Sequence, residues 1–194
     1  MKTLTEDDYE RAAAALGCDI PAIKAVCEVE APHGGFLSNG EPVILFEAHI
    51  FDMLTRGQYR AAHSAISSAT WNPTLYETGA SADIRGQKEQ ADLRRAVALN
   101  REAALQSASW GKFQIMGFNW QLTGVKSLQE FINDMYRNEG AHLDAFVSFV
   151  KASKLDDALR DHRWMDFARG YNGAGFAANK YDQKLAAAYL KYCQ

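Results

Sequence analysis

Two carboxylates in this sequence stand where a charged group is costly. Glu30 closes the stretch Ile20–Glu30. On a helical wheel turned about 100° per residue, Ala22, Ile23, Val26 and Val29 gather on one side, with Cys27 at the edge. Glu30 lies on the same side, one turn beyond Val26 and two beyond Ile23. Lys24 and Glu28 fall on the other side, spaced as a solvated pair. A carboxylate aimed at an apolar side is either paired or kept protonated. A carboxylic acid that holds its proton at neutral pH is what a general acid has to be. The second carboxylate, Glu47, ends the apolar run Pro42-Val43-Ile44-Leu45-Phe46. Glu30 is also open to a plainer reading, as a rim residue in the last turn of an amphipathic helix with a local hydrogen bond.

Acids such as Glu89, Asp92 and Glu102 sit on a helical pattern rich in Lys and Arg, where solvation is the expectation. That leaves Glu30 and Glu47 as carboxylates in unlike surroundings, and such a pair does the work of glycoside hydrolysis. One acid, raised by apolar neighbours, protonates the leaving oxygen. The other stays ionised and orients a water or stabilises the developing cation. Ser109, Trp110, Gln114, Asn119, Tyr171 and Asn172 supply hydroxyls, amides and flat rings next to glycines, an inventory that suits a sugar groove. Trp110, Phe113, Ile115 and Phe118 are equally readable as core, and Phe113 and Ile115 are expected there. Gly111 permits close backbone approach.

The elements that must position these groups are mostly helical. Thr5 to Leu16 reads as a helix with Thr5 as N-cap, acids in its first turn and Gly17 as its stop. The helix Ile20–Glu30 is broken by Pro32, Gly34 and Gly35, after which Phe36-Leu37 re-enters the core. Asn39-Gly40 is a turn, and Pro42 to Glu47 a buried strand or extended segment. Ala48 to Thr55 is a short helix stopped near Gly57. Tyr59 to Thr78 is irregular, with a turn at Trp71-Asn72-Pro73, and could be a flap over a groove. Ile84 to Gln106 reads as one long helix. Leu128 to Val150 reads as two pieces broken near Gly140. Short helices follow at Asp156–Asp161 and Trp164–Arg169, then a glycine-rich turn from Gly170 to Gly175, wrongly spaced for a phosphate loop. A last helix runs from Lys180 to Tyr192. The fold class is mostly α with a minimal strand region, in a single domain.

At 194 residues the chain has room for one sizeable core. Its net charge of −3 gives no reason to expect nucleic acid. No run approaches the roughly 20 apolar residues of a membrane span, so stable membrane insertion is not expected. The start, MKTLTEDDYERAAAALG, lacks the pattern of a signal peptide. Synthesis in the cytoplasm is the expectation, with a separate agent needed for any release. Cys18, Cys27 and Cys193 form an odd set without metal spacing, expected to be reduced thiols. The five histidines make no ligand cluster, and His49, close after Glu47, reads as structural. No metal or cofactor is implied.

Three blocks, taken in order, carry a resemblance. They are AVCEVEAPHGGFL with GEPVILFEAHIF, then NREAALQSASWGKFQIMGFN, then FARGYNGAGFAANKYDQKLAAAY. Together they span most of the chain from about residue 20 to 190, and the middle block is the most specific. The chain resembles the lysozyme-like superfamily, and within it the N-acetylmuramidases of phage endolysins. Goose-type lysozymes and lytic transglycosylases share a looser version of the same order.

The resemblance implies a lysozyme-like fold with a substrate cleft for peptidoglycan glycan strands; a monomer without a cofactor is the expectation. It implies Glu30 as the catalytic acid, Glu47 as a second carboxylate and Tyr171 as a residue that helps orient Glu30. Ser109, Gln114 and Asn172 match cleft positions that bind sugar or hold the acid, with Asn119 and Trp110 beside them. Ala31 departs from the serine often found after the acid. The expected product is a compact lysin spanning 1–194 without a separate wall-binding module, made in the host cytoplasm and released to the wall with a holin's help. A transglycosylase giving 1,6-anhydro products is the alternative within the superfamily, and a non-catalytic peptidoglycan binder the alternative outside enzymes.

Overall fold

Capping residues decide where most of these helices begin. The computed structural model describes residues 2–30, 34–76, 79–173, 177 and 179–194. Along the chain the elements are α1 (Glu6–Leu16), α2 (Ile20–Glu30), β1 (Ile44–Phe46), α3 (Ala48–Leu54), α4 (Ala82–Leu99), α5 (Arg101–Gln106), β2 (Ala108–Trp110), β3 (Ile115–Met116), α6 (Leu128–Arg137), α7 (Glu139–Ala152), α8 (Asp156–Arg160), α9 (Trp164–Asn172) and α10 (Tyr181–Tyr192). Short 3-10 turns occur at Pro73–Leu75 and Gly117–Thr123. The chain is mostly helical with one small sheet, as its patterning indicates. No described helix is long and apolar enough to cross a membrane, and no disulfide joins the three cysteines.

The chain divides into two compact units. The first contains Met1–Gly35, Leu122–Gly124 and Arg137–Gln194. Here α1 starts from a capping box: Thr5 accepts from the Asp8 backbone while the Asp8 side chain accepts from the Thr5 N–H. Gly17, at φ +69°, ends it. Helix α2 packs against α1 and α10, and α10 also against α9. Ala22, Ile23, Ala25 and Val26 are fully buried on α2, as are Leu143, Phe146, Phe167 and Leu185 on α7, α9 and α10. The break between α6 and α7 comes from Asn138 rather than from Gly140. The extended Asn138 caps α7 by accepting from the Ala141 N–H at 2.8 Å. Gly140 lies inside the helix, where a β-carbon would come within 2.7 Å of Asp8 Oδ1.

The second unit contains Phe36–Gln121 and Val125–Tyr136. Its antiparallel sheet runs β1-β2-β3, with Ile44 opposite Trp110, Phe46 opposite Ala108, and Trp110 opposite Ile115. β1 alternates as a half-buried strand should: Ile44 and Phe46 point inward and Leu45 outward. Helix α4 packs on β1 and on α5. The long helix expected over Ile84–Gln106 is two helices. Asn100 is extended at φ −153°, ends α4, and starts α5 by accepting from the Ala103 N–H at 3.0 Å. An asparagine side chain that satisfies a new helix start outcompetes continuation of the old one.

Candidate active site

Two glutamates on the same helix, Glu28 and Glu30, meet opposite fates. Asp19 starts α2 by accepting from the Ala22 N–H at 3.0 Å, and the apolar stripe fixes the helix rotation. Glu28 then faces outward. The pair expected between Lys24 and Glu28 does not form. Lys24 turns to Glu6 at 2.8 Å, and Glu28 accepts from Lys191 and from the Tyr192 hydroxyl, both at 2.7 Å. The long α10 side chains reach Glu28 across the helix pair more readily than Lys24 does along its own helix. The Lys191 ammonium holds the Glu28 carboxyl below the usual range.

Glu30 faces the other way, half-buried at the last position of α2. Burial pushes its pKa up, and a bond from Asn172 and the charge of Lys184 draw it back only in part. Its place at the negative end of the α2 dipole works in the same direction as burial. Asn172 Nδ2 donates to Glu30 Oε1 at 2.9 Å.

Asn172 is the last residue of α9, so Tyr171 and Asn172 are helical and do not belong to a glycine-rich turn. Gly173 follows at φ +70° and ψ −164°. Ala174 and Gly175 lie outside the described residues, as do Ala31, Pro32 and His33. Tyr171 is set among aromatic rings. Phe167 stacks on it at 5.6 Å, and Phe146 and Phe149 meet it edge-on at 5.5 and 5.9 Å. Burial, and then the charge of Glu30, raise the Tyr171 phenol. Tyr181 is raised by the same two causes. Glu30 is therefore a carboxyl held by an amide, near two phenols and an ammonium. Burial outweighs the amide and the ammonium, so this carboxyl keeps its proton to higher pH than it would in water.

In the second unit, Glu47 follows directly on β1. It occupies the N-cap position of α3, but its side chain makes no cap bond. Its N–H donates to the Ser107 carbonyl at 2.9 Å, extending the β1-β2 ladder by one residue. The side chain is left to accept a hydrogen bond from the Tyr76 hydroxyl. His49 Nδ1 lies 3.3 Å from Glu47 Oε2, buried and without a hydrogen bond in this geometry.

Below Glu47 is a third carboxylate that the sequence expectation placed in solvent. Glu89 on α4 is 6% exposed and accepts from the Phe46 N–H at 2.8 Å. Burial raises its pKa against the pull of that N–H, with the charges of Asp92 and Glu47 adding to the rise. Asp92 is also buried, braced by Lys88 at 2.8 Å and Arg95 at 3.0 Å. The signal was present in the sequence. Counted from Leu93 and Ala96, positions 89 and 86 fall on the apolar stripe, and Gly86, Glu89, Gln90, Leu93 and Ala96 are all buried.

The β2-β3 hairpin holds the polar groups expected to meet sugar. Gly111 at φ +69° and Gln114 at φ +49° reverse the chain, and the Gly111 N–H donates to the Val43 carbonyl at 2.8 Å. Ser109 Oγ donates to Gln114 Oε1 at 2.7 Å, and Gln114 Nε2 donates to the Gly111 carbonyl at 2.8 Å. Gln114 is exposed, and Asn119 is half-buried in the following 3-10 turn. Trp110 does not offer a ring to a sugar. It is 1% exposed, and its indole N–H donates to the Leu105 carbonyl at 3.0 Å. Its inward place in the sheet makes it core, as are Phe113 and Ile115. Among the described residues, no group of three or more His, Cys, Asp or Glu gathers as metal ligands would.

The structure thus brings Glu30, Tyr171 and Asn172 together in one unit. It brings Glu47, Ser109, Gln114 and Asn119 into the other. The N-acetylmuramidase family model matches residues 19–193. Among solved structures, the crystal structure of Burkholderia AP3 phage endolysin is 38% identical, with a TM-score of 0.87. The match covers 99% of this chain and 71% of that one. No curated protein matches the chain. With nearly the whole chain inside the family's span and 38% identity to that endolysin, the fold is lysozyme-like and the chain belongs to the N-acetylmuramidase family of peptidoglycan hydrolases.

Proposed function

We propose that this muramidase is an endolysin that hydrolyses the β-1,4 bond between N-acetylmuramic acid and N-acetylglucosamine, with Glu30 as general acid. The observation that carries this is the contrast within α2: Glu28 is held below the usual carboxylate range and Glu30 above it. A raised carboxyl can hand its proton to the departing glycosidic oxygen. Asn172 fixes the direction of that carboxyl, and the packed Tyr171 keeps its surroundings rigid and poor in water. Glu47, bonded by Tyr76, is the second carboxylate of this reading, with the role of orienting water or stabilising the oxocarbenium-like transition state. Ser109 and Gln114, bonded to each other, hold the hairpin for contacts with N-acetyl and hydroxyl groups.

Mass spectrometry of muropeptides released from purified peptidoglycan tests the reaction type. Hydrolysis leaves reducing N-acetylmuramic acid ends. Products lighter by one water, with 1,6-anhydro ends, would identify a transglycosylase, and reducing N-acetylglucosamine ends would identify cleavage of the other bond. Glu47→Gln should lower the hydrolytic rate by about 10²-fold or more while the circular dichroism spectrum is retained.

A further inference from the structure

The segment before Glu47's phenolic partner carries an exposed indole that the catalytic reading leaves unused. Trp71 is 59% exposed, yet it is not loosely held. Its ring stacks on Tyr76, with centroids 6.1 Å apart and planes inclined by 25°. Tyr76 is fixed in turn by its hydrogen bond to Glu47. Between the two rings, Asn72 Oδ1 accepts from the Thr74 N–H at 3.1 Å and from the Thr74 hydroxyl at 2.8 Å. Lys88 Nζ on α4 donates to the Leu75 carbonyl at 2.8 Å. The turn 71–76 is therefore tied down from within, from α4 and from Glu47.

A large apolar ring kept in water by so many constraints is preorganised for a flat ligand face. A pyranose ring presents such a face, because its axial C–H groups give one side that is apolar and weakly electropositive against the negative face of an aromatic ring. We propose that Trp71, backed by Tyr76, is a stacking subsite for one N-acetylhexosamine ring of the glycan strand. Tyr76 is a positioning residue that couples this platform to Glu47. The occupant is sugar, since the neighbouring group that reaches the site is a carboxylate, and a glycan strand supplies the hydroxyls that a carboxylate accepts from. The proposal rests on the muramidase reading, and its test separates the two.

The variants are Trp71→Ala, Trp71→Tyr and Tyr76→Phe. The measurements are kcat and KM on purified peptidoglycan, and equilibrium titration with soluble β-1,4-linked N-acetylglucosamine oligomers. Trp71→Ala should raise KM and weaken oligomer binding about three- to tenfold with kcat unchanged, and Trp71→Tyr should restore most of the loss. Tyr76→Phe keeps the ring but removes the hydroxyl, so it should lower kcat more than it changes KM. Unchanged KM and oligomer affinity in a folded Trp71→Ala protein that still hydrolyses peptidoglycan would overturn the platform while leaving the muramidase reading intact. A wild-type protein that binds the oligomers through Trp71 but cleaves no glycan would overturn that reading and keep the platform.

Discussion

At the scale of single residues, direction decides chemistry. Glu28 and Glu30 share a helix and a residue type, and differ in which way the α2 rotation points them. That difference has a thermodynamic consequence. Burial raises the folded-state pKa of Glu30 above its unfolded value, so the folded protein binds the proton more tightly. Its stability contribution is fully present below about pH 4, near the unfolded glutamate value. It is lost as pH rises through the raised folded value. Glutamine cannot titrate and does not suffer that loss. The melting temperature of Glu30→Gln, relative to wild type, should therefore rise from pH 4 to pH 8. Calorimetry across that range checks it, and a difference that stays flat with pH would show that Glu30 is not perturbed by folding.

The same residue scale shows what could be read in advance. Glu30 was legible because Ala22, Ile23, Val26 and Val29 fixed its face of a short helix. Glu89 passes the identical test, but its flanking Lys88 and Arg94-Arg95 made a solvated face the simpler reading. In the fold, those cations serve other partners: Lys88 bonds Leu75 and Asp92, and Arg94 pairs with Glu41 at 2.8 Å. Trp110 erred the other way. A Ser-Trp-Gly sequence does not say which strand face is inward, and the register Ile44–Trp110 puts that ring inside.

At the scale of elements, caps and braces outweigh propensity. A run from Ile84 to Gln106 has helical composition throughout, yet one asparagine side chain divides it. The segment Pro42 to Glu47 has strand composition, yet only Ile44–Phe46 pairs as strand, because pairing requires partners that local sequence does not name. The last β1 residue has its N–H satisfied by Glu89 instead of by a neighbouring strand. Glu89→Ala would leave that buried N–H without its acceptor, at a cost of about 1–3 kcal/mol. Denaturant unfolding should register this loss, and peptidoglycan cleavage should fall as Glu47 loses its fixed support. Glu89→Gln, which keeps an acceptor oxygen, should recover most of the stability. Equal stability in the alanine variant would show that Glu89 is not the brace of β1.

At the scale of the whole molecule, the net charge of −3 sets how the enzyme meets an anionic polymer. Long-range attraction does not assist the encounter, and added salt screens a weak repulsion. KM for purified peptidoglycan should stay level or fall as ionic strength rises from about 10 mM to about 150 mM, where the Debye length shrinks from about 30 Å to about 8 Å. A KM that climbs steeply with salt would reveal a cationic binding face. The terminal helix α10 belongs to the packed first unit. Leu185 and Ala188 are buried, Tyr189 bonds Asp19 and Lys191 bonds Glu28. That helix packs on α2, the element that carries Glu30.

The rate of glycan cleavage by Glu30→Gln on purified peptidoglycan, beside a circular dichroism spectrum showing the native fold, tests the proton-donor assignment most directly. A drop of about 10²–10⁴-fold is the expected result. A folded Glu30→Gln protein that cleaves at close to the wild-type rate would contradict it, and the proton would have to come from another group.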